Sequence, residues 1–281
     1  MATDKKICLI TGATSGIGKA TAIELARKGM QIIFTSRDEE KGKNTRDEII
    51  KSTGNPDVSM YHCDLASFQS ISEFASLIKK NFIKLDILIN NAGIWMKQKD
   101  MNADGIEYTF AVNHLAPFLL TSLLLDMIRK SDAGRIINVS SGIHYQGYLD
   151  ISDPEFKNKA FNPAKAYTQS KLANVLFTRE LAIRLKETNV TVNCLAPGWV
   201  NTGLFRSSNP IVKLAARLWA LTPSKGAETS IFLATSDQVQ NITGEYFEKK
   251  KVKKAAKKSY DKELMKKLWK LSEDYLKNYL S

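Results

Sequence analysis

The 281-residue sequence contains no run of about eighteen or more uncharged apolar residues, the length that a helix needs to cross a bilayer. Its first residues, Met1 to Lys6, are charged and lead into a short apolar strand, unlike the start of a secretion signal. We therefore expect no transmembrane span, no signal peptide and a cytoplasmic location.

Cysteine is scarce too. Cys8, Cys63 and Cys194 each lie in or at the end of a separate strand-like stretch, so their spacing suggests neither a disulfide framework nor a metal site. We expect buried thiols in a reducing compartment and no bound metal.

Acidic residues are outnumbered, and the net charge is +12. The excess is concentrated in the tail, because Glu248 to Ser281 contain twelve lysines and five acidic residues. The remaining composition, with 43% hydrophobic and 25% charged residues, is ordinary for a globular protein that buries a core.

Short apolar runs alternate with longer segments of helical period along most of the chain. This alternation predicts a doubly wound α/β fold with a single parallel sheet of about seven strands and helices on both faces. We expect one dinucleotide-binding domain over 1–247, including a substrate lid at 201–224, and a Lys-rich amphipathic extension over 248–281. The segments 142–165 and 201–224 are longer than usual connections, and such loops are often functional.

A glycine-rich turn, "TGATSGIGKA", follows the first strand and opens a helix. Missing side chains let the backbone approach a pyrophosphate, and the helix N-terminus offers N–H groups and partial positive charge. A tight turn with no ligand is the alternative. The cofactor contacts that we predict here are Gly12, Thr14, Ser15, Gly16, Ile17 and Gly18.

The end of the second strand bears on which dinucleotide binds. An acidic residue there would accept hydrogen bonds from the ribose of NAD, whereas NADP carries a 2′-phosphate that needs a cation. The sequence offers Ser36 and Arg37, and a guanidinium recognises phosphate with two donors. We therefore expect NADP, and we interpret Asp38 as the N-cap of the next helix.

Tyr167 and Lys171 lie four residues apart, so on a helix they share one face. Such a pair, taken alone, is more often part of a solvated surface than of a catalytic site. Its context changes this interpretation. The other motifs, in chain order, are "CDL" (63–65), "NNAG" (90–93), Asn113 in "AVNHLAPF", Ser141 in "INVSS" and "APG" (196–198).

Together these motifs resemble the short-chain dehydrogenase/reductase superfamily over roughly residues 5 to 247. The stretches that most resemble its retinol dehydrogenase branch are "KAYTQSKLANVLFTREL", "NVSSGIH", "APGWV" and "TPSKGAET". The resemblance implies an enzyme in which Tyr167 exchanges a proton with the substrate oxygen and Ser141 donates a second hydrogen bond to it. Ser140 is the alternative serine. Lys171 would bind the nicotinamide ribose, and Asn113 would hold a water that links Lys171 to solvent, unless it only satisfies a backbone group.

We also expect the Lys171 ammonium and the positive ring of an oxidised cofactor to lower the pKa of Tyr167. Two charges roughly 6 Å apart interact by about 3 kcal/mol at an effective dielectric constant of about 20, which is enough for roughly two pKa units. Further cofactor contacts implied by the resemblance follow the third, fourth and sixth strands. They are Asp64, Leu65, Asn91, Ala92, Gly93, Pro197, Gly198, Val200 and Thr202.

The 26-residue separation of Ser141 and Tyr167 is about twice the separation common in the superfamily and matches the retinol dehydrogenase branch. The loop between them and the lid carry apolar residues that suit a lipophilic carbonyl or alcohol of retinoid, steroid or aldehyde type. For each of these apolar residues, the alternative is that it packs within the fold and does not contact the substrate. The candidate substrate contacts are Trp95, His144, Tyr148, Leu204 and Phe205.

The segment 260–280 has an apolar stripe and many lysines, which fits either a helix docked on the domain or one lying on an anionic membrane. Nothing resembling a base-reading module accompanies it, so we do not expect a nucleic-acid partner. The sequence leaves the oligomeric state open, and a homo-oligomer is one alternative.

The alternative functions are a pigment-type double-bond reductase and a non-catalytic cofactor-binding regulator or scaffold.

Overall fold

The structure is a computed structural model, and it describes residues 5–198 and 221–280. Its centre is one sheet of eight strands in the order β3-β2-β1-β4-β5-β6-β7-β8. The strands are β1 Ile7–Ile10, β2 Gln31–Ser36, β3 Val58–His62, β4 Ile87–Asn90, β5 Gly134–Val139, β6 Val190–Ala196, β7 Tyr246–Glu248 and β8 Lys251–Lys253.

The first seven strands are parallel and β8 is antiparallel to β7. The predicted doubly wound α/β fold is confirmed, with one strand more than expected. The chain leaves β1 toward β2 on one side and returns to β4 on the other, so a crevice opens at the carboxyl ends of β1 and β4.

Helices cover both faces of the sheet. They are α1 Gly16–Arg27, α2 Glu39–Thr53, α3 Phe68–Asn81, α4 Tyr108–Phe110, α5 Ala116–Arg129, α6 Pro163–Arg184, α7 Pro223–Thr235 and α8 Lys262–Leu276. A π-helical segment, Ala111–Leu115, joins α4 to α5, and short 3-10 helices occupy Gly142–Gln146, Asp237–Val239 and Lys257–Tyr260. Two large buried apolar clusters and a small third one around Tyr246 form the core.

The helical stretch Tyr108–Arg129 is long and apolar enough to cross a membrane by length and composition, but most of it is buried inside the fold. Its location within one of the two large core clusters is that of a core helix. Cys8, Cys63 and Cys194 are free and buried, as predicted.

The C-terminal extension belongs to the same folded unit. The predicted boundary between residues 247 and 248 falls inside β7, and β8 continues the sheet. Helix α8 buries Met265, Leu268 and Leu276 in the larger core cluster. Its apolar stripe is therefore used for packing within the domain, which is the docked alternative for this segment.

Candidate active site

The turn between β1 and α1 brings the backbone unusually close to its neighbours. Gly12 and Gly16 have φ values of +68° and +57°, which side chains rarely adopt. A Cβ at Gly18 would lie 2.4 Å from Asn91 Nδ2 and from the Gly12 carbonyl oxygen. The turn can therefore hold only glycine at these positions, and it leaves a cradle at the N-terminus of α1 that fits a pyrophosphate.

A second turn, after β4, is fastened to the first. Asn91 Nδ2 donates to the carbonyl oxygens of Thr11 and Gly12, at 2.8 and 3.2 Å. Thr11 Oγ1 accepts hydrogen bonds from the backbone N–H groups of Asn91 and Ala92. Both turns thus form one wall of a cleft of about 1600 Å³, which exceeds the volume of roughly 300 to 1000 Å³ usual for ligand pockets.

Most of the predicted cofactor residues lie along this cleft. Val200 and Thr202 lie outside the described residues. The predicted contacts that line the cleft are Gly12, Thr14, Ser15, Gly16, Ile17, Gly18, Arg37, Asp64, Leu65, Asn91, Ala92, Gly93, Tyr167, Lys171, Pro197 and Gly198.

At the end of β2, Arg37 is exposed and lines the cleft. Asp38 Oδ1 accepts a hydrogen bond from the Lys41 N–H at 2.9 Å, so the predicted N-cap of α2 is confirmed. Lys41 also lines the cleft and was not predicted. Lys41 lies in the first turn of α2, just after Arg37 and the capping residue Asp38. This position could have identified it from the sequence.

Tyr167 and Lys171 lie together at the opposite end of the cleft, one turn apart on α6. Both are buried, and Lys171 Nζ lies 5.6 Å from the centroid of the Tyr167 ring. Lys171 Nζ donates to the Val139 carbonyl oxygen at 3.1 Å. Gly93 leaves space beside it, because a Cβ there would lie 3.1 Å from Nζ.

Ser141 lies beside the Tyr167 phenol, and its side chain lowers the pKa of that phenol. Ser140 instead donates its hydroxyl to the Lys171 carbonyl oxygen at 2.8 Å and is buried. The structure therefore places Ser141, and not Ser140, next to the hydroxyl that would meet a substrate. Both serines lie just beyond β5, at the carboxyl edge of the sheet.

Burial dominates the electrostatics of this pair. It raises the pKa of the Tyr167 phenol above its ordinary value, and the Ser141 side chain offsets only part of this rise. Burial also lowers the pKa of the Lys171 ammonium to about 8. In the chain by itself, burial is thus the main influence on the phenol, and the prediction that Lys171 and an oxidised cofactor together lower the pKa of Tyr167 stays a prediction.

Asn113 lies in the π-helical segment, and its amide is fully occupied. Oδ1 accepts from the Ile94 N–H at 2.8 Å, while Nδ2 donates to the Ile94 carbonyl oxygen and to Ser170 Oγ, both at 3.0 Å. Ser170 Oγ donates in turn to the Tyr167 carbonyl oxygen. Asn113 therefore satisfies backbone groups of the turn after β4 and connects them to α6, whereas its role in holding a water stays a prediction.

The π-helical segment itself was not predicted, because the sequence reads as one continuous helix from Asp104 to Ile128. Such insertions often mark functional sites. Here it directs Asn113 toward the turn after β4 and His114 toward α8, where His114 Nε2 lies 2.9 Å from Ser272 Oγ.

The candidate substrate contacts divide into three groups. Trp95 lines the cleft and packs on Tyr167, with ring centroids 4.9 Å apart. Leu204 and Phe205, with residues 201–220 of the predicted lid, lie outside the described residues. His144 and Tyr148 do not line the cleft.

The prediction for His144 is corrected because its imidazole is fully buried between two backbone groups. Nδ1 lies 2.8 Å from the Ser141 carbonyl oxygen, and Nε2 accepts from the Ala256 N–H at 3.1 Å. Tyr148 is corrected as well, since its ring is 65% exposed and packs under Lys258 Nζ at 4.0 Å. Both side chains serve the contact between the 3-10 turn after β5 and the C-terminal extension.

The C-terminal part of the chain also contributes to the cleft, which the motifs did not indicate. Glu248 ends β7 and accepts a hydrogen bond from Tyr246 at 2.5 Å, and Lys250 pairs with Glu228 at 3.1 Å. The lysines of the C-terminal extension lie in no motif that predicts a position at the mouth of a dinucleotide cleft. The residues concerned are Leu221, Lys225, Glu228, Thr229, Glu248, Lys249 and Lys250.

Comparison with known proteins gives the chain similar relatives over most of its length. The model of the short chain dehydrogenase family matches residues 6–212. Retinol dehydrogenase 13 of Homo sapiens is 42% identical over 272 residues, which cover 94% of this chain and 82% of that protein.

Two solved structures have the same fold. One is an uncharacterized protein from Mycobacterium paratuberculosis, with a TM-score of 0.80 and 30% identity over 97% of this chain and 93% of that chain. The other is a short chain dehydrogenase from Shigella flexneri complexed with NADP, with a TM-score of 0.69 and 27% identity over 86% of this chain and 95% of that chain. The resemblance predicted from the motifs is confirmed.

Proposed function

Since this chain belongs to the short chain dehydrogenase family, we propose that it transfers a hydride between NADP(H) and the carbonyl or alcohol carbon of a lipophilic small molecule. The observation that carries this proposal is the arrangement of Ser141, Tyr167 and Lys171. The three side chains meet at one end of a cleft whose other end fits a dinucleotide.

The residues divide the reaction between them. A bound nicotinamide supplies or accepts the hydride. In the reductive direction Tyr167 gives its phenolic proton to the substrate oxygen, and Ser141 donates a second hydrogen bond as negative charge develops there. The raised pKa of Tyr167 keeps the phenol protonated near neutral pH, which is the form that donates a proton in the reductive direction.

The preference for NADP rests on the cations at the end of β2. Arg37 and Lys41 both line the cleft where a ribose 2′-phosphate would lie. Asp38, the nearby carboxylate, uses Oδ1 to cap α2. The Shigella flexneri relative, whose structure contains NADP, supports the same choice.

The lipophilic substrate rests on the apolar residues near Tyr167. Trp95 packs on the phenol ring, and Ile94, Val112 and Ile143 also line the cleft. Similarity to a retinol dehydrogenase supports a substrate of this chemical class.

The test is an assay of NADPH oxidation over a panel of retinoid, steroid and medium-chain aldehydes, repeated with NADH. We expect turnover with at least one lipophilic aldehyde and a KM at least tenfold lower for NADPH than for NADH. A preference for NADH would remove the role given to Arg37. Turnover that requires illumination would favour a pigment-type double-bond reductase, and no turnover with bound cofactor would favour a regulatory or scaffold protein.

A further inference from the structure

The C-terminal extension presents a surface that the catalytic chemistry does not use. Residues 249–260 contain seven lysines and no acidic residue. Lys250 pairs with Glu228. The lysines at 251, 253, 254, 257 and 258 are exposed on strand β8 and the turn that follows it.

Exposed aromatic and aliphatic side chains lie among these lysines. Tyr145 and Tyr148, from the 3-10 turn after β5 and the loop that follows it, reach this surface: Tyr145 donates to the Lys254 carbonyl oxygen at 2.7 Å, and Tyr148 packs under Lys258. Together with Val252 and Tyr260 they are 42 to 65% exposed, and they make up half of the exposed large hydrophobic residues in 5–198 and 221–280. We call the nine residues the basic aromatic face: Tyr145, Tyr148, Lys251, Val252, Lys253, Lys254, Lys257, Lys258 and Tyr260.

We propose that the basic aromatic face binds the surface of an anionic lipid bilayer. Each lysine near such a surface contributes attraction, and tyrosines are amphipathic side chains that suit the headgroup region. This differs from the membrane contact expected from the sequence, in which the apolar stripe of the C-terminal helix would enter the lipid. That stripe is buried in the core, so the contact moves to β8 and its neighbours.

Lipid fits this face better than a nucleic acid does. Single strands bind by stacking bases on open aromatic faces. Here Lys258 covers one face of the Tyr148 ring, Arg179 lies 4.0 Å from the Tyr260 ring, and His144 lies 4.2 Å from the Tyr145 ring. The hydroxyls of Tyr145 and Tyr260 bond to backbone groups of Lys254 and Ala255, whereas the exposed ring edges and the lysine ammonium groups stay available to headgroups.

The location of the basic aromatic face connects membrane binding to catalysis. This connection rests on the proposed lipophilic substrate. Lys249 and Lys250 connect β7 to β8 with φ values of +48° and +64°, and both line the catalytic cleft. A membrane in contact with β8 would therefore lie next to the mouth of the cleft, where a substrate dissolved in lipid could enter.

The test is sedimentation of the full chain with phosphatidylcholine vesicles, with and without phosphatidylserine, at low and at physiological ionic strength. We expect binding only with phosphatidylserine and weaker binding as salt rises. The variant Lys253→Gln, Lys254→Gln, Lys257→Gln and Lys258→Gln should bind at least tenfold more weakly.

A matched control removes four charges from the other end of the sheet. The control residues lie at the C-termini of α1, α2 and α3, and they are Lys28, Lys51, Lys79 and Lys80. Because crossover helices run antiparallel to the strands, these lysines lie far from the cleft. Their replacement by Gln should leave vesicle binding within about twofold, since charges beyond a Debye length are screened. Thermal unfolding of both variants shows whether each is folded.

Three results would overturn the proposal. They are equal losses in the two variants, equal binding to neutral and anionic vesicles, and binding of a single-stranded oligonucleotide through this face without vesicle binding. Because sedimentation needs neither cofactor nor turnover, failure here is distinguishable from failure of the proposed enzymatic function.

Discussion

The cofactor end of the cleft is built from contacts within recognisable motifs, whereas the catalytic end depends on residues more than a hundred positions away. The turns after β1 and β4 hold each other through Thr11 and Asn91. Ser141, by contrast, is connected through its carbonyl oxygen to His144, and His144 to Ala256 in the C-terminal extension.

Further contacts join the catalytic end to α8. His114 meets Ser272, and Tyr275 donates to Glu155 at 2.5 Å. Glu155 also accepts from the Glu107 N–H at the start of α4. The comparison teaches that the extension is part of the scaffold behind the catalytic side chains, while the cofactor turns are held by hydrogen bonds to each other.

The largest expected effect comes from removing a core contact of the extension. Leu268 is 1% exposed, and Leu268→Ala should lower the free energy of unfolding by about 2 to 5 kcal/mol. Leu25→Ala in α1, which is equally buried, is the matched control and should destabilise similarly. Denaturant unfolding and steady-state kinetics check this: we expect kcat to fall for Leu268→Ala alone. Equal kcat values would contradict the link between α8 and the catalytic end.

At the cofactor end, Arg37→Glu tests the other side of the comparison. A hydrogen bond to a charged group contributes about 1.5 to 3 kcal/mol, so the Kd for NADPH should rise by about tenfold or more while the Kd for NADH changes little. Fluorescence titration of each cofactor measures this. Asp47→Asn, an exposed change on α2 that does not line the cleft, serves as the control. An equal effect on both cofactors would remove Arg37 from phosphate recognition.

A smaller effect is expected at His144. His144→Ala leaves the buried Ala256 N–H without its acceptor, which should lower the free energy of unfolding by about 1 to 3 kcal/mol, and kcat should fall because Ser141 loses its connection. His144→Asn can keep a donor toward the Ser141 carbonyl oxygen and should retain more of kcat. Unchanged kcat in both variants, with normal NADPH binding, would show that His144 supports only the fold.

The smallest effect is a pH dependence set by Lys171. Its pKa in the free chain is about 8, so its positive charge, which would bind the nicotinamide ribose, is lost as pH rises through that value, and we expect kcat/KM for NADPH to fall to about half near pH 8. Stability changes in the opposite sense. Between about pH 8 and its ordinary pKa of 10.5 the unfolded state binds more protons, so the free energy of unfolding rises with pH.

Denaturant unfolding across this range, compared with Lys171→Met, checks the stability change. The variant should lack the rise between about pH 8 and 10.5. A rise that persists without Lys171 would assign the titration to another group.

Much of the fold follows from local patterns in the sequence. The continuous apolar runs of strands such as "ICLI" and "ILIN" indicate burial on both faces, and their alternation with helical segments predicts the doubly wound sheet. Strand β8 could not be predicted in this way, because "KVK" has only one apolar residue. It pairs at an exposed edge of the sheet, where lysines are common.

The candidate site shows the same division. Tyr167, Lys171 and the glycine turns were identified because each lies in a short motif. His144 was assigned to the substrate pocket because no local pattern shows that an imidazole will be buried against Ala256. The burial of Tyr167 could not be predicted for a similar reason: helical spacing gives the distance between Tyr167 and Lys171, and it does not give the desolvation that raises the pKa of the phenol.

The most direct measurement compares Tyr167→Phe with the unchanged chain for NADPH binding and for reduction of a lipophilic aldehyde. Losing a proton donor should lower kcat by about 10²- to 10⁴-fold, while the Kd for NADPH stays within about threefold because the cofactor turns are untouched. A Tyr167→Phe variant that consumes NADPH as fast as the unchanged chain would contradict the account.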